Sequence, residues 1–192
     1  ASSQRLEGGG GGHDGSDVDM IVIHTMQGSY SGAISYFANC GTEASAHYMV
    51  NSEDGEITQM VRESNTAWHA GHWETNTRSI GIEHEGYIDD PSWMTDVMYR
   101  ESAALSADIA VRQGIPIDRD HIIGHVEVPG CPYSGGGSGC HTDPGNYFDW
   151  DYYMALVADG GNLSTGEIIG VVADSDIRYG ARLPGARVWI AE

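Results

Sequence analysis

Histidine, cysteine and aspartate crowd into one stretch of this chain, HIIGHVEVPGCPYSGGGSGCHTDPGNYFDW, which runs from His121 to Trp150. Imidazole nitrogen, thiolate sulfur and carboxylate oxygen are the donors that zinc prefers, and a catalytic zinc takes three protein ligands plus one open position. His125 follows the apolar pair Ile122-Ile123, which reads as a short strand, and Asp143 lies beyond a Gly, Pro and Ser rich connection able to fold back toward it. These two are candidate metal ligands. The third is best supplied by His24, at the end of the apolar run Met20-Ile-Val-Ile, because a ligand on a strand end is held more rigidly than one on a mobile loop. Taken alone, a histidine in that position is more often a hydrogen-bonded structural residue.

Cys131 and Cys140 bracket Pro-Tyr-Ser-Gly-Gly-Gly-Ser-Gly and admit two readings. A disulfide between them would tether the loop that separates the candidate ligands, which suits an exported protein. Alternatively Cys131 is a thiolate ligand in place of Asp143. The motif context of Asp143 favours the disulfide. Cys40 reads as a small apolar residue near a helix end.

The elements that must position these groups are strands and helices in alternation. Residues 1–19 are Gly, Ser and Asp rich and read as a flexible leader; residues 20–158 carry the periodic elements of one domain; residues 159–192 read as a linker and β-strand segment that either pads the domain's surface or begins a β-sandwich module. Met20 to His24 is a buried strand and Ser31 to Asn39 a short helix. Two extended runs around Ser-Glu-Asp-Gly predict a β-hairpin. Along Ser79-Ile-Gly-Ile-Glu the isoleucines alternate with Gly81 and Glu83, so Glu83 falls on the opposite face from the apolar residues. Thr95 to Gln113 predicts the longest helix, and Phe148 to Val157 a closing one. The expected fold class is α/β, a central mixed β-sheet of about five or six strands with flanking helices.

Composition narrows the function. Among 192 residues there are 28 Asp and Glu against 9 basic residues, a formal charge of −19. Such a surface repels phosphate backbones and argues against nucleic-acid binding. No apolar run approaches the ~20 residues of a membrane span. Lysine is absent, which removes any P-loop, and there is neither a His-Glu-x-x-His run nor a Gly-x-Ser-x-Gly turn. The start at Ala-Ser-Ser-Gln, without methionine, fits a mature product or a trimmed form whose targeting segment is out of view, so export is not read from this end.

Ile21-Val-Ile-His24, Ser45-Ala-His-Tyr48, Asp54-Gly-Glu-Ile-Thr-Gln59, Ala67-Trp-His-Ala-Gly71, Asn76-Thr-Arg-Ser-Ile-Gly-Ile-Glu83 and His141-Thr-Asp-Pro-Gly145 together resemble the type 2 zinc N-acetylmuramoyl-L-alanine amidases, kin of the peptidoglycan recognition proteins. The resemblance implies Zn2+ held by His24, His125 and Asp143, with Glu83 as the acid/base group. It also implies that His141 stands where many members carry a lysine, able to hydrogen-bond an oxyanion. The bond cut would be the amide between N-acetylmuramic acid and L-alanine of peptidoglycan. Trp68, His69 and Asn76 are then expected along the substrate cleft, in a monomer that is secreted or held in the cell envelope. The rival reading is a non-catalytic peptidoglycan-binding module, and a complete ligand set with Glu83 favours the enzyme.

Overall fold

The computed structural model describes residues 17–39, 41–129 and 141–160. The leader up to residue 16, the Cys131 to Cys140 loop, Cys40 and the tail beyond residue 160 lie outside the described residues, and with them the disulfide and the β-sandwich expectations.

Five strands form one mixed sheet: β1 (Met20–Thr25), β2 (Tyr48–Val50), β3 (Ile57–Gln59), β4 (Ser79–His84) and β5 (Ile122–Gly124). Their spatial order is β3-β2-β4-β1-β5. The β2–β3 hairpin is antiparallel, and the other pairings are parallel. Parallel neighbours need crossover connections, which here carry α1 (Tyr30–Phe37), α2 (Trp73–Asn76) and α3 (Asp96–Gln113), while α4 (Trp150–Ala158) closes the domain.

Side-chain alternation divides the sheet into two faces. Ile21 and Ile23 of β1, Ile80 and Ile82 of β4, and Tyr48 and Val50 of β2 join Met98, Leu105 and Ile109 of α3 and Tyr153, Leu156 and Val157 of α4 in the principal core. Each fully buried isoleucine contributes roughly 1.5 to 3 kcal/mol relative to exposure. The opposite face carries Val22 and Ile123 against Ala70, with α1 packing Ala33, Ile34 and Phe37 beside Met49. On that second face the chain places its chemistry.

Capping residues set the helix starts. Ser29, Thr95 and Asp149 each accept a backbone N–H from the first turn that follows them, so α1 begins at Tyr30, α3 at Asp96 and α4 at Trp150. Arg112 in the last turn of α3 reaches across to buried Glu63 with two hydrogen bonds of 2.5 and 2.8 Å, and Tyr48 donates to the same carboxylate at 2.6 Å. This pair locks the end of α3 onto the hairpin.

Candidate functional site

His24 lies at the end of β1, directly in register with Glu83 on β4. Because the two strands are parallel and paired residue for residue, both side chains emerge on the polar face of the sheet. The His24 carbonyl accepts a hydrogen bond from His84 Nδ1 at 2.9 Å, and His84 Nε2 in turn accepts from Ser102 on α3 at 2.6 Å. The ligand-bearing strand end is thus clamped from behind.

His125 follows β5 in a tight turn, His125–Glu127, whose Glu127 carboxylate accepts the Gly124 N–H at 2.7 Å and pairs with Arg119. Arg119 lies 3.3 Å over the Trp150 ring, a cation–π contact that ties this turn to α4. Two further bonds bring Asp143 in: its carbonyl accepts from Val126 N–H at 2.9 Å, and Thr25 Oγ1 donates to the Pro144 carbonyl at 3.3 Å.

The result is a convergence of three donors. Asp143 Oδ2 lies 3.2 Å from His24 Nδ1, and both Asp143 oxygens lie 3.1 Å from His125 Nδ1. One ligand atom from each residue falls within 4.8 Å of the others. Two imidazoles and a carboxylate in that space are the donor set and the number that a catalytic zinc takes, and the residues fit such an ion.

Electrostatics agree with this use. Burial, reinforced by His125, lowers the His24 pKa to about 4, so the ring is neutral at pH 7 and has a lone pair to give. Burial alone would raise Asp143, but the His125 and His24 rings beside it outweigh that and hold the carboxyl well below the usual range. Glu83 goes the other way: burial, then repulsion from Asp143, pushes it up to about 8, and its Oε2 has no partner among the described residues. The two carboxyl groups are thus driven apart, Asp143 kept ionised as a metal ligand must be and Glu83 able to hold a proton.

His141 stacks on His125 with ring centroids 3.5 Å apart and planes 19° apart. Burial and then His125 lower its pKa. It packs against Gly71, where a Cβ would stand 3.3 Å from His141 Nε2.

The three residues expected along the cleft part company. Trp68 is half exposed and meets the equally exposed Trp73 edge to face, at 5.9 Å between centroids. Asn76 is buried, its Oδ1 accepting the backbone N–H of His69 at 3.1 Å and of Ala70 at 2.8 Å. His69 is buried too, with Nδ1 2.9 Å from His24 Nε2. It stands behind a candidate ligand instead of lining the cleft. Nothing in Ala-Trp-His-Ala-Gly tells which way the His69 ring turns, so its place behind His24 is not legible in the sequence. His47, Nδ1 of which accepts the Gly81 N–H at 3.0 Å, serves the scaffold.

Comparison with known proteins gives a consistent result. Residues 14–146 match the family described as N-acetylmuramoyl-L-alanine amidase. N-acetylmuramoyl-L-alanine amidase A of Achromobacter lyticus is 39% identical over 151 residues, covering 73% of this chain and 84% of that protein. The 1,6-anhydro-N-acetylmuramyl-L-alanine amidase AmpD of Haemophilus influenzae is 33% identical, covering 73% of this chain and 83% of its own length. Among solved structures, the amidase LysC of Clostridium intestinale shares the fold with a TM-score of 0.60 at 19% identity, over 78% of this chain and 90% of that one. The amidase AmiD of E. coli, solved with anhydro-N-acetylmuramic acid-L-Ala-D-gamma-Glu-L-Lys, superposes with a TM-score of 0.59 at 23% identity, over 76% of this chain and 58% of that one. With its sheet, its donor cluster and its relatives in agreement, the chain belongs to the N-acetylmuramoyl-L-alanine amidase family.

Proposed function

We propose that this chain is a zinc-dependent hydrolase that cleaves the amide bond between N-acetylmuramic acid and L-alanine in peptidoglycan or its muropeptide fragments. The observation that carries the reading is the convergence of His24 Nδ1, His125 Nδ1 and the Asp143 carboxylate beside buried Glu83, whose Oε2 has no partner among the described residues. His24, His125 and Asp143 would hold the ion. Zinc bound there supplies Lewis acidity for the scissile carbonyl and for the attacking water.

Glu83 is the proton carrier. It takes a proton from water as the new C–O bond forms, and delivers it to the amide nitrogen as the C–N bond breaks, so the products are a carboxylic acid and a free α-amine. Burial, then Asp143 repulsion, raises its carboxyl above the usual range in the metal-free protein, which favours holding the proton between the two transfers. His141, stacked on His125, is the candidate donor to the oxyanion, replacing by a neutral imidazole the charge that a lysine would bring. The half-exposed Trp68 offers an apolar ring at the rim for substrate. The formal charge of −19 supports a monomer that avoids nucleic acid, and a peptidoglycan substrate would place it in the cell envelope or outside the cell.

Digestion of purified peptidoglycan with mass analysis of the products, with and without a chelator, tests the reading. The expected products are free stem peptides beginning in L-alanine and intact glycan, formed only while metal is present. Binding without any new amino terminus would instead select the recognition-module reading.

A further inference from the structure

Behind the metal-facing side of His24 runs a second line of hydrogen bonds whose direction the chemistry dictates. It starts at the Thr75 carbonyl, which can only accept, so Ser79 Oγ donates to it at 2.6 Å. With its proton committed, the Ser79 oxygen accepts from His69 Nε2–H at 3.1 Å. A neutral imidazole protonated at Nε2 presents a lone pair at Nδ1, and His69 Nδ1 lies 2.9 Å from His24 Nε2. His24 must therefore carry its own proton on Nε2, which leaves its Nδ1 unprotonated, facing Asp143.

We propose that His69 is a positioning residue that, through Ser79 and the Thr75 carbonyl, fixes His24 in the Nε2–H tautomer and so makes His24 Nδ1 a metal donor. The proposal rests on the metal-centre reading above. His24, His69 and Ser79 are all buried, so water does not offer alternative partners along the line. The His69 ring is held in place on three sides. Asn76 grips its backbone; the His47 ring stands against it at 5.8 Å between centroids; and Gly81 makes room for it, since a Cβ there would fall 2.4 Å from His69 Cγ. Without the His69 acceptor, a neutral His24 would be free to place its proton on Nδ1, where Asp143 attracts it and where the metal must bind. A ligand histidine anchored through its other nitrogen gains both orientation and basicity, and losing such an anchor typically costs 10- to 100-fold in metal affinity.

The test uses the full chain with three substitutions: His69→Phe, which keeps a ring and removes both nitrogens; His69→Asn, whose Oδ1 restores an acceptor near Nδ1; and Ser79→Ala. Imidazole nitrogen NMR of the metal-free protein reads the tautomers, and competition with a chromophoric chelator reads zinc affinity. Wild-type His24 and His69 should both be protonated at Nε2. Zinc affinity should fall about 10- to 100-fold in His69→Phe, recover in part in His69→Asn, and fall less in Ser79→Ala while its His69 tautomer becomes mixed. Wild-type His24 protonated at Nδ1, or unchanged zinc affinity in both His69→Phe and Ser79→Ala, overturns the proposal. Failure of the wild-type protein to bind zinc at all would defeat the metal-centre reading instead, and the tautomer spectra would still judge the hydrogen-bond line on its own.

Discussion

Replacing Glu83 by Gln should make the protein more stable and nearly inactive, and the two effects have one cause. In the folded, metal-free protein burial and Asp143 raise the Glu83 pKa from 4.5 to about 8. A carboxyl with a raised folded pKa binds its proton more tightly when native, so stability falls as pH climbs from about 4.5 and levels off above about 8. At about 1.4 kcal/mol per pH unit, the ionised form costs at most about 5 kcal/mol at pH 9 and very little at pH 5. Glutamine avoids ionisation but leaves an amide to be satisfied, at about 1 to 3 kcal/mol. The net gain expected at pH 9 is roughly 2 to 4 kcal/mol, or about 5 to 15 °C in Tm, shrinking to nothing or reversing at pH 5. Unfolding is followed with chelator present, because a bound cation would pull the carboxyl pKa down. Hydrolysis by the zinc-loaded variant should fall by about 100- to 10,000-fold with zinc content intact. Full activity, or a pH dependence of stability identical to wild type, would refute the assignment of Glu83 as a buried acid/base group.

The metal-holding residues should behave differently from Glu83: Asp143→Ala or His24→Ala is expected to lose zinc and activity together, checked by metal content beside peptidoglycan hydrolysis, whereas His141→Ala should retain zinc and lose about 100- to 1,000-fold in turnover. Arg112→Met should destabilise by about 3 kcal/mol at pH 7, measured by urea unfolding, because it takes the guanidinium away from a carboxylate that is only 4% exposed. Burial tends to raise the Glu63 pKa but Arg112, Tyr48 and Gln113 bring it below 4.5, so this contribution is present above about pH 4.5 and disappears as pH falls through the folded value. Glu101 is 5% exposed, its Oε2 has no partner among the described residues, and burial raises it to about 7. Its ionisation therefore penalises the native state increasingly from about pH 4.5 to pH 7, and Glu101→Gln should raise Tm at pH 8 by roughly 5 to 10 °C relative to its effect at pH 5 in a thermal melt.

How far the sequence reaches depends on whether a role is local. The alternation Ile80, Gly81, Ile82, Glu83 by itself assigns Glu83 to the polar face, because period two is a property of the strand. Helix starts lie a residue or two further on wherever a cap reads as helix: Thr95 caps α3, and Asp149 rather than Phe148 marks the start of α4. The central sheet has five strands, within the expected range. Tertiary roles are harder to read. His69 sits in the same short motif as Trp68, yet one ring turns inward behind His24 and the other outward to solvent. Only the Gly81 notch in β4, distant from β1 in sequence and adjacent to it in space, decides which. Asn76 likewise reads as a polar residue free for substrate until the fold shows two backbone N–H groups on its oxygen.

That dependence has a physical consequence for the site. His24 and Glu83 are cross-strand partners, and the same register that opposes them also opposes Ile21 to Ile80 and Ile23 to Ile82 on the other face. A slip of one residue between β1 and β4 would pair His24 with Ile82 or His84 and break the burial of four isoleucines at once. At roughly 1.5 to 3 kcal/mol for each, that exceeds anything the polar face could gain by rearranging. The core side of the sheet therefore enforces the spacing between a metal-facing imidazole and an acid/base carboxyl, although burial makes ionisation of that carboxyl costly in the metal-free protein. Chemistry that is costly on one face is held in place by packing on the other.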